Sequence, residues 1–329
     1  MPKTWQLHLF EEAAPPPTLR DVADAVREAG VDGLPDARRR ADDARYQEVQ
    51  VRSALARATG MPFEWALNPY RGCTHACEYC YARKYQRHLE LGAGDDFSSV
   101  IFVKINLVAV LRRELTRPGW TQESVSVGTA TDPYQPIEGH YKLTRRSLEV
   151  LTDTGTPFAI VTKGPMVLRD LDILKRATAG AGCEVRLSVP TTDPDAWARL
   201  EPGTAPPAQR LRAVRTLVDA GIDAGVLMNP LVPGITATRE NIERTVAALA
   251  DAGAPFVGTN VAHLDAGVRE HFMAFLAREY PQLVDGYEKL YARGAYAPRA
   301  YANEVKAIVQ SAVNRKKDSV TGRTRPPGR

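Results

Sequence analysis

The sequence predicts an α/β protein built around a parallel sheet, and three observations support this prediction. From about residue 62 onward, short β-branched or aromatic runs alternate with segments of helical periodicity, as in successive βα units. Most of the helical segments end in Gly, which stops a helix and returns the chain to the next strand. With 44% hydrophobic and 25% charged residues among 329, the chain can bury a sizeable globular core.

The predicted elements follow one another along the chain. The strands are short runs such as "SVIFVKI" and "PFAIVTK", and they lie at 63–67, 99–105, 124–128, 157–163, 183–189, 223–229 and 255–262. Between them, apolar residues recur with helical spacing at 107–117, 146–155, 167–180, 208–221 and 239–253. This alternation predicts parallel strands, because each helix carries the chain back across the sheet.

Four regions are expected around this pattern. Residues 1–60 are rich in Ala, Arg and Asp with little apolar patterning, which indicates a leader that is helical or partly ordered. Residues 61–265 contain the βα units, and residues 266–313 indicate helices and turns that close over the sheet. The last region, 314–329, is a basic tail that we expect to be disordered.

The net charge of +4 belongs to this tail. The segment "NRKKDSVTGRTRPPGR" has six Lys or Arg and one Asp, so it carries +5 and residues 1–313 carry −1. The tail is suited to phosphate groups, but the body gives no general argument for a nucleic-acid partner. The N-terminus has no basic segment followed by an apolar run, and no stretch approaches about 18 consecutive apolar residues. We therefore expect a cytoplasmic, reducing location and no membrane partner.

Three of the four cysteines, Cys73, Cys77 and Cys80, lie close together in "RGCTHACEYC". In a reducing compartment such a cluster indicates a metal or redox site more than a disulfide framework, although a disulfide with a spare thiol is one alternative. Zinc is another alternative, but its fourth ligand would have to be His75 or the distant Cys183. An iron–sulfur cubane fits better, because its usual ligands are thiolates and three of them leave one iron open.

The spacing Cys-x3-Cys-x2-Cys, with Tyr79 directly before the last cysteine, resembles the signature of the radical S-adenosylmethionine (radical SAM) enzymes. The motifs "NPYRGCTHACEYCYAR", "GTATDPYQPIE", "TKGPMVLRDLDIL", "LEPGTAPPAQRL" and "PLVPGI" resemble the branch that contains spore photoproduct lyase and its uncharacterised bacterial relatives. This resemblance spans roughly residues 47–305. It implies a partial (β/α)6 barrel with N-terminal and C-terminal helical extensions.

The resemblance also implies two cofactors, a [4Fe-4S] cluster and S-adenosyl-L-methionine bound to its open iron. One electron from the reduced cluster would cleave the sulfonium to methionine and a 5′-deoxyadenosyl radical, which abstracts hydrogen from a substrate. Cys73, Cys77 and Cys80 would be the cluster ligands. Tyr79 would lie against the adenine, or would simply shield the cluster.

The remaining cofactor contacts are expected at the ends of the predicted strands. Thr129, Thr131 and Asp132 are suited to the methionyl ammonium and the ribose, unless Asp132 merely starts a turn. Lys163 would meet the methionyl carboxylate as a point charge, unless it is an exposed strand-end lysine. By its match to spore photoproduct lyase, Ser188 would reach the cofactor, although backbone groups can also satisfy a buried serine.

The substrate is not predicted by these motifs. Spore photoproduct lyase uses a cysteine downstream of the cluster as hydrogen donor, and here no cysteine occurs between Cys80 and Cys183. Repair of a DNA photoproduct is therefore the weaker form of the enzyme hypothesis, and Tyr134 is the first candidate donor. We expect an unidentified substrate and an electron donor such as flavodoxin or ferredoxin.

The alternative function class is a non-enzymatic iron–sulfur or zinc protein with an electron-transfer or nucleic-acid-binding role. The sequence contains no Gly-rich phosphate loop between a strand and a helix. Its six scattered histidines do not indicate a Ser/His/Asp grouping either. These patterns argue against nucleotide hydrolases of the phosphate-loop type and against serine hydrolases.

Overall fold

The computed structural model describes residues 18–20, 24, 38–39 and 44–321. Within these residues the strands form two sheets, and they are β1 (Arg38–Arg39), β2 (Arg45–Val49), β3 (Leu55–Arg57), β4 (Trp65–Leu67), β5 (Tyr70–Arg71), β6 (Val100–Lys104), β7 (Val125–Val127), β8 (Phe158–Thr162), β9 (Cys183–Ser188), β10 (Asp223–Leu231) and β11 (Phe256–Val261). The chain therefore combines strands and helices over most of its described length, as predicted.

The larger sheet confirms the predicted fold class. Its strand order is β11-β10-β9-β8-β7-β4-β3, and every neighbouring pair is parallel except β3 and β4. Six parallel strands thus follow one another from β4 to β11, and the antiparallel β3 lies at the free edge of β4. Because β11 and β3 are at opposite edges, the sheet forms an open, partial barrel.

The smaller sheet corrects one predicted strand position. The run at 99–105, expected in the parallel series, forms β6 of a separate sheet with the order β1-β2-β6-β5. Val100–Val103 are completely buried, so their apolar pattern is that of any doubly covered strand. The choice of sheet depends on β2, which pairs in parallel with β6 and lies in the leader predicted to be helical or partly ordered.

The helices lie where the periodicity predicts them, with additional short turns. The α-helices are Asp96–Ser99, Leu107–Leu115, Glu138–Tyr141, Leu143–Asp153, Leu171–Ala179, Pro194–Leu200, Pro207–Asp219, Arg239–Asp251, Val268–Glu279, Val284–Leu290 and Arg299–Thr321. In the described part of the chain, 3-10 helices lie at Tyr81–Leu89, Pro165–Asp170 and Pro281–Leu283. None of the described helices is long and apolar enough to cross a membrane.

The C-terminal helix Arg299–Thr321 packs on the main core through buried Val305, Val309, Ala312 and Val313. It also corrects the extent of the tail, because residues 314–321 continue the helix where disorder was expected. One reason is the ion pair between Arg315 and Glu243, whose Nη2 and Oε1 atoms are 2.7 Å apart. Residues 322–329 of the predicted tail lie outside the described residues.

Candidate active site

The cysteine loop, residues 72–80, lies between β5 and the 3-10 helix Tyr81–Leu89. Cys73 and Cys77 are buried, Cys80 is half-buried, and all three are free thiols. The loops after β7 and β8 and the end of β9 carry the other predicted cofactor contacts. Since these strands are parallel, the structure brings all of them to the carboxyl edge of the sheet, as the sequence predicts.

Two features fix the first half of the cysteine loop. Gly72 has φ of +81°, and a Cβ at this position would lie 2.6 Å from the carbonyl oxygen of Val100, so only glycine fits without a shift. The backbone N–H of Cys73 then donates to the carbonyl of Phe97 at 2.9 Å. The first cysteine is therefore held against the segment that leads into β6.

Arg83 fixes the second half of the loop, although the sequence analysis did not single it out. Its guanidinium is buried and donates to the carbonyl oxygens of Ala76 and Cys77, both at 3.0 Å. It also donates to Ala93 at 3.1 Å and Gly94 at 2.9 Å. One fork-shaped cation thus ties the loop to a second segment, a role that the planar geometry of Arg allows.

A second loop, residues 200–204, packs directly on the cysteine loop. The N–H of Glu78 donates to the carbonyl of Leu200 at 3.0 Å, and the N–H of Gly203 donates to that of His75 at 3.1 Å. A Cβ on Gly203 would overlap the carbonyl oxygen of Thr74. The "EPGT" motif of the resemblance therefore supports the cysteine loop from outside.

Asp132, predicted to contact the cofactor, makes four internal contacts here. Its Oδ1 accepts from the N–H of Tyr134 at 2.9 Å and from the hydroxyl of Thr162 at 2.6 Å, while its Oδ2 accepts from the N–H of Lys163 at 2.7 Å. The same Oδ2 lies 3.3 Å from Nδ1 of His75, inside the cysteine loop. These contacts link the ends of β7 and β8 to the cluster loop.

The buried charges of this pair reinforce each other. Burial alone would raise the pKa of Asp132, but His75, the hydroxyl of Thr162 and the N–H of Lys163 lower it to about 2. Burial alone would lower the pKa of His75, but Asp132 and Cys73 raise it to about 10. The structure therefore gives His75, which lies inside the cysteine loop, an ionic partner.

Glu201 is the centre of a buried group behind the cysteine loop, which we call the Glu201 group and which consists of Glu201, Arg210, Lys163 and Tyr79. Oε2 of Glu201 lies 2.6 Å from Nη2 of Arg210, and Oε1 lies 3.8 Å from Nζ of Lys163. The hydroxyl of Tyr79 donates to the same carboxylate. Burial alone would raise the pKa of Glu201, but the two cations lower it.

Lys163 also faces the thiols. Burial raises the pKa of the Cys77 and Cys80 thiols, and the Lys163 ammonium acts in the opposite direction on both. Burial would lower the pKa of Lys163, but Glu201 and Cys77 raise it. The predicted cofactor-binding lysine therefore lies between a carboxylate and two candidate metal ligands.

The other predicted contacts have internal partners. The buried hydroxyl of Thr131 donates to the carbonyl of Gly72 at 2.6 Å, which joins the β7 loop to the cysteine loop. The hydroxyl of Thr129 accepts from the side-chain amide of Asn68 at 3.1 Å. The hydroxyl of Ser188 donates to the carbonyl of Asn229 at 2.7 Å, which is the backbone alternative considered for this residue.

Tyr134, the candidate hydrogen donor, belongs to a different buried group. Its hydroxyl donates to Oδ2 of Asp170 at 3.0 Å, and the guanidinium of Arg169 lies 5.9 Å from its ring centre. Arg169 in turn pairs with Glu138 at 2.7 Å. Among the described contacts of the Tyr134 hydroxyl there is no cluster cysteine, so its role as hydrogen donor stays a prediction.

The donor set of the loop fits an iron–sulfur cluster in its chemistry. Three thiols lie in one buried loop with a cation beside them. Cys183 begins β9, so it lies at the amino ends of the strands, and its thiol contacts the carbonyl of Leu174. The hydroxyl of Thr74, between two of the cysteines, is buried without a hydrogen-bond partner in the described part of the chain. Sulfide ions of a bound cluster would offer it an acceptor.

The side chains of the cysteine loop are not gathered around a single metal ion. Within the described residues, no group of three His, Cys, Asp or Glu side chains is placed to hold one metal ion. A single ion needs its ligands at one point, whereas the thiols that bind a cubane are spread over separate irons.

Comparison with known proteins identifies the relatives of the chain. An uncharacterized protein of Mycobacterium tuberculosis is 37% identical over 289 residues, which cover 87% of this chain and 85% of that protein. An uncharacterized protein of Methanocaldococcus jannaschii is 29% identical over 245 residues, covering 74% and 84%. A protein of Pseudomonas phage M6 named radical SAM Nα-GlyT isomerase is 27% identical over 186 residues, covering 56% and 36%.

The fold is also that of solved structures. Spore photoproduct lyase complexed with dinucleoside spore photoproduct matches with a TM-score of 0.64 at 17% identity, covering 82% of this chain and 79% of that one. The model of the radical SAM superfamily matches residues 67–249, more than half of the chain and the region from β4 to the helix Arg239–Asp251. This chain belongs to the radical SAM superfamily.

Proposed function

We propose that this chain is a radical SAM enzyme in which Cys73, Cys77 and Cys80 bind a [4Fe-4S] cluster and S-adenosylmethionine binds at the open iron. When bound and reduced, the cluster supplies the one electron that cleaves S-adenosylmethionine to methionine and a 5′-deoxyadenosyl radical. The observation that carries the proposal is the convergence of three free thiols in one buried loop at the carboxyl edge of the barrel. The reductant would be a small electron carrier such as a flavodoxin or ferredoxin.

The residues of the chain would hold and protect this site. Arg83 fixes the carbonyls of the cysteine loop, and Gly203 allows the 200–204 loop to cover it. Lys163 favours the thiolate form of Cys77 and Cys80, which is the form that binds metal. Asp132 and His75 connect the loop to the ends of β7 and β8.

Iron loading tests the proposal directly. Anaerobic reconstitution should load about four irons and four sulfides per chain, as expected of one cubane. Cys77→Ala should lose most of this iron, whereas Cys183→Ala is the matched control and should keep it, because its thiol lies at the other edge of the sheet. The reduced wild-type protein should form 5′-deoxyadenosine from S-adenosylmethionine. Stoichiometric zinc without iron would contradict the proposal.

A further inference from the structure

A cavity of about 280 Å³ lies beside the cysteine loop, between β4, the end of β6 and the 3-10 helix Tyr81–Leu89. Its wall includes Gly72 and Tyr81, which directly precede Cys73 and follow Cys80. It also includes Thr129 of the β7 loop. A molecule in this cavity would therefore touch residues that flank two of the three proposed cluster ligands.

The charge of the cavity wall has one sign. Arg71 and Lys104 line it together with Arg57 and His88, and no Asp or Glu is among the described residues of its wall. Arg57 is paired with Glu64 at 3.4 Å, outside the wall. We call the other two Arg and Lys residues of the wall, Arg71 and Lys104, the cation pair.

Within the described part of the chain, the hydrogen-bond partners of the cation pair are neutral groups. Nζ of Lys104 donates to the carbonyl of Asn68 at 2.7 Å, and Nε of Arg71 donates to Oε1 of Gln86 at 3.2 Å. The guanidinium of Arg71 also donates to the carbonyl of Tyr85. Burial, and next to it the charge of Arg71, lower the pKa of Lys104 to about 8. Two cations that repel each other and lack a counter-ion are unfavourable unless a bound anion compensates them.

Aromatic side chains form part of the remaining wall. Tyr81 and Tyr85 line the cavity with their ring centres 6.4 Å apart and nearly perpendicular, and Phe63 and Phe97 add apolar surface. The hydroxyl of Tyr81 donates to the carbonyl of Thr129, which fixes the ring next to the cysteine loop. Fixed rings beside a cation provide stacking and edge contacts for a flat ligand that carries negative charge.

We propose that this cavity is the substrate pocket, and that the substrate carries an oxyanion, bound by Arg71 and Lys104, next to a planar ring that contacts Tyr81 and Tyr85. This inference rests on the proposed function, because it assigns the substrate of that same site. The volume suits a single ring with one phosphate or carboxylate, about the size of one nucleotide unit. Asn68 links the pocket to the β7 loop, since its amide contacts both Thr129 and the N–H of Ala130.

Calorimetric titration of the anaerobically purified full chain tests the proposal with four probes. Uridine monophosphate supplies a ring with a phosphate, orotate a ring with a carboxylate, uridine a ring alone and inorganic phosphate an anion alone. At least one of the first two should bind tenfold or more tightly than both uridine and inorganic phosphate, and their ranking separates phosphate from carboxylate. Lys104→Met should weaken that binding at least tenfold. Lys175→Met, an exposed lysine of the helix Leu171–Ala179, is the matched control and should not change it.

Three outcomes would overturn the inference. The first is uridine binding as tightly as the charged probes, and the second is no binding of either charged ring at millimolar concentration. The third is complete displacement of the probe by S-adenosylmethionine, which would make the cavity part of the cofactor site. Failure of the proposed function has a different signature: the wild-type chain would bind the probe but load no iron and form no 5′-deoxyadenosine.

Discussion

The Glu201 group and the cation pair both lie near the cysteine loop, and they differ in how buried charge is compensated. In the Glu201 group, a carboxylate lies between Arg210 and Lys163, and Lys163 also faces two thiols. In the cavity, the partners of Arg71 and Lys104 among the described residues are amide and carbonyl groups. The chain pairs Arg210 and Lys163 with a carboxylate in the Glu201 group, whereas the described contacts leave Arg71 and Lys104 without a counter-ion where we propose that a ligand binds.

The two regions also differ in whether their cations have donors left to bind a ligand. Arg210 donates to the carbonyl of Ser188 at 2.9 Å and to that of Ala205 at 2.8 Å, so its remaining donors are used within the protein. Such a cation cannot bind a ligand without losing these bonds. The ammonium of Lys104 has three donors and one hydrogen bond to the chain, so it can accept an anion at little cost.

The largest effect is expected from Glu201→Gln, which removes the negative charge of the Glu201 group. The variant leaves Arg210 and Lys163 buried without a counter-ion, so the free energy of unfolding should fall by about 3–5 kcal/mol. Urea denaturation measures this change. Glu288→Gln, at an exposed position, is the control and should change it by less than about 0.5 kcal/mol. Equal losses in both variants would show that the Glu201 group is not compensated as described.

Lys104→Met removes one charge of the cation pair, and we expect it to change the free energy of unfolding in the opposite direction. Without ligand, the free energy of unfolding at pH 7 should rise by about 1 kcal/mol, since removing an uncompensated cation outweighs one lost hydrogen bond. If Lys104 only supported the backbone at Asn68, the variant would be less stable.

The pH dependence of this difference follows from the lowered pKa of Lys104. Its pKa is lowered from 10.5 to about 8 by burial and by Arg71, so the native state releases the proton first. Lys104 destabilises the folded state fully below pH 8, where its side chain is protonated in both the folded and the unfolded state. This destabilisation disappears as the pH rises to about 10.5. The advantage of Lys104→Met over the wild type should therefore shrink across this range in urea denaturation. A constant advantage would mean that charge is not its cause.

The sequence predicted much of the fold because the signals are local. Strand and helix periodicity, with Gly at helix ends, placed the six parallel strands of the barrel. It could not place β6, since a run of four buried apolar residues reads the same in either sheet. Nor could it find β2, whose "RYQEV" contains buried Arg45 and Gln47 and therefore looks like an exposed segment.

The site was predictable only as far as spacing carried information. The cysteine motif placed three thiols in one loop because all three lie within a short segment. Glu201 and Lys104 act through contacts with distant parts of the chain, and a single sequence contains no signal for such pairing. Arg83 contacts carbonyls nearby in sequence, but the cysteine motif does not mark it. Glu201 lies in the Pro- and Gly-rich motif "LEPGTAPPAQRL", but that motif does not reveal its buried contacts with Arg210 and Tyr79.

The smallest effect is expected where charge is paired but remains in water. Arg315 and Glu243 join the C-terminal helix to the helix Arg239–Asp251, yet 54% and 43% of their side-chain surfaces are exposed. Solvent weakens such a pair, so Arg315→Ala should lower the free energy of unfolding by about 0.2–1 kcal/mol, and less at high salt. Lys306→Ala, at an exposed position of the same helix, is the control for lost side-chain packing. A loss above about 2 kcal/mol would mean that more than this pair holds the end of the helix. Removal of an exposed ion pair would then not have the smallest effect on the free energy of unfolding.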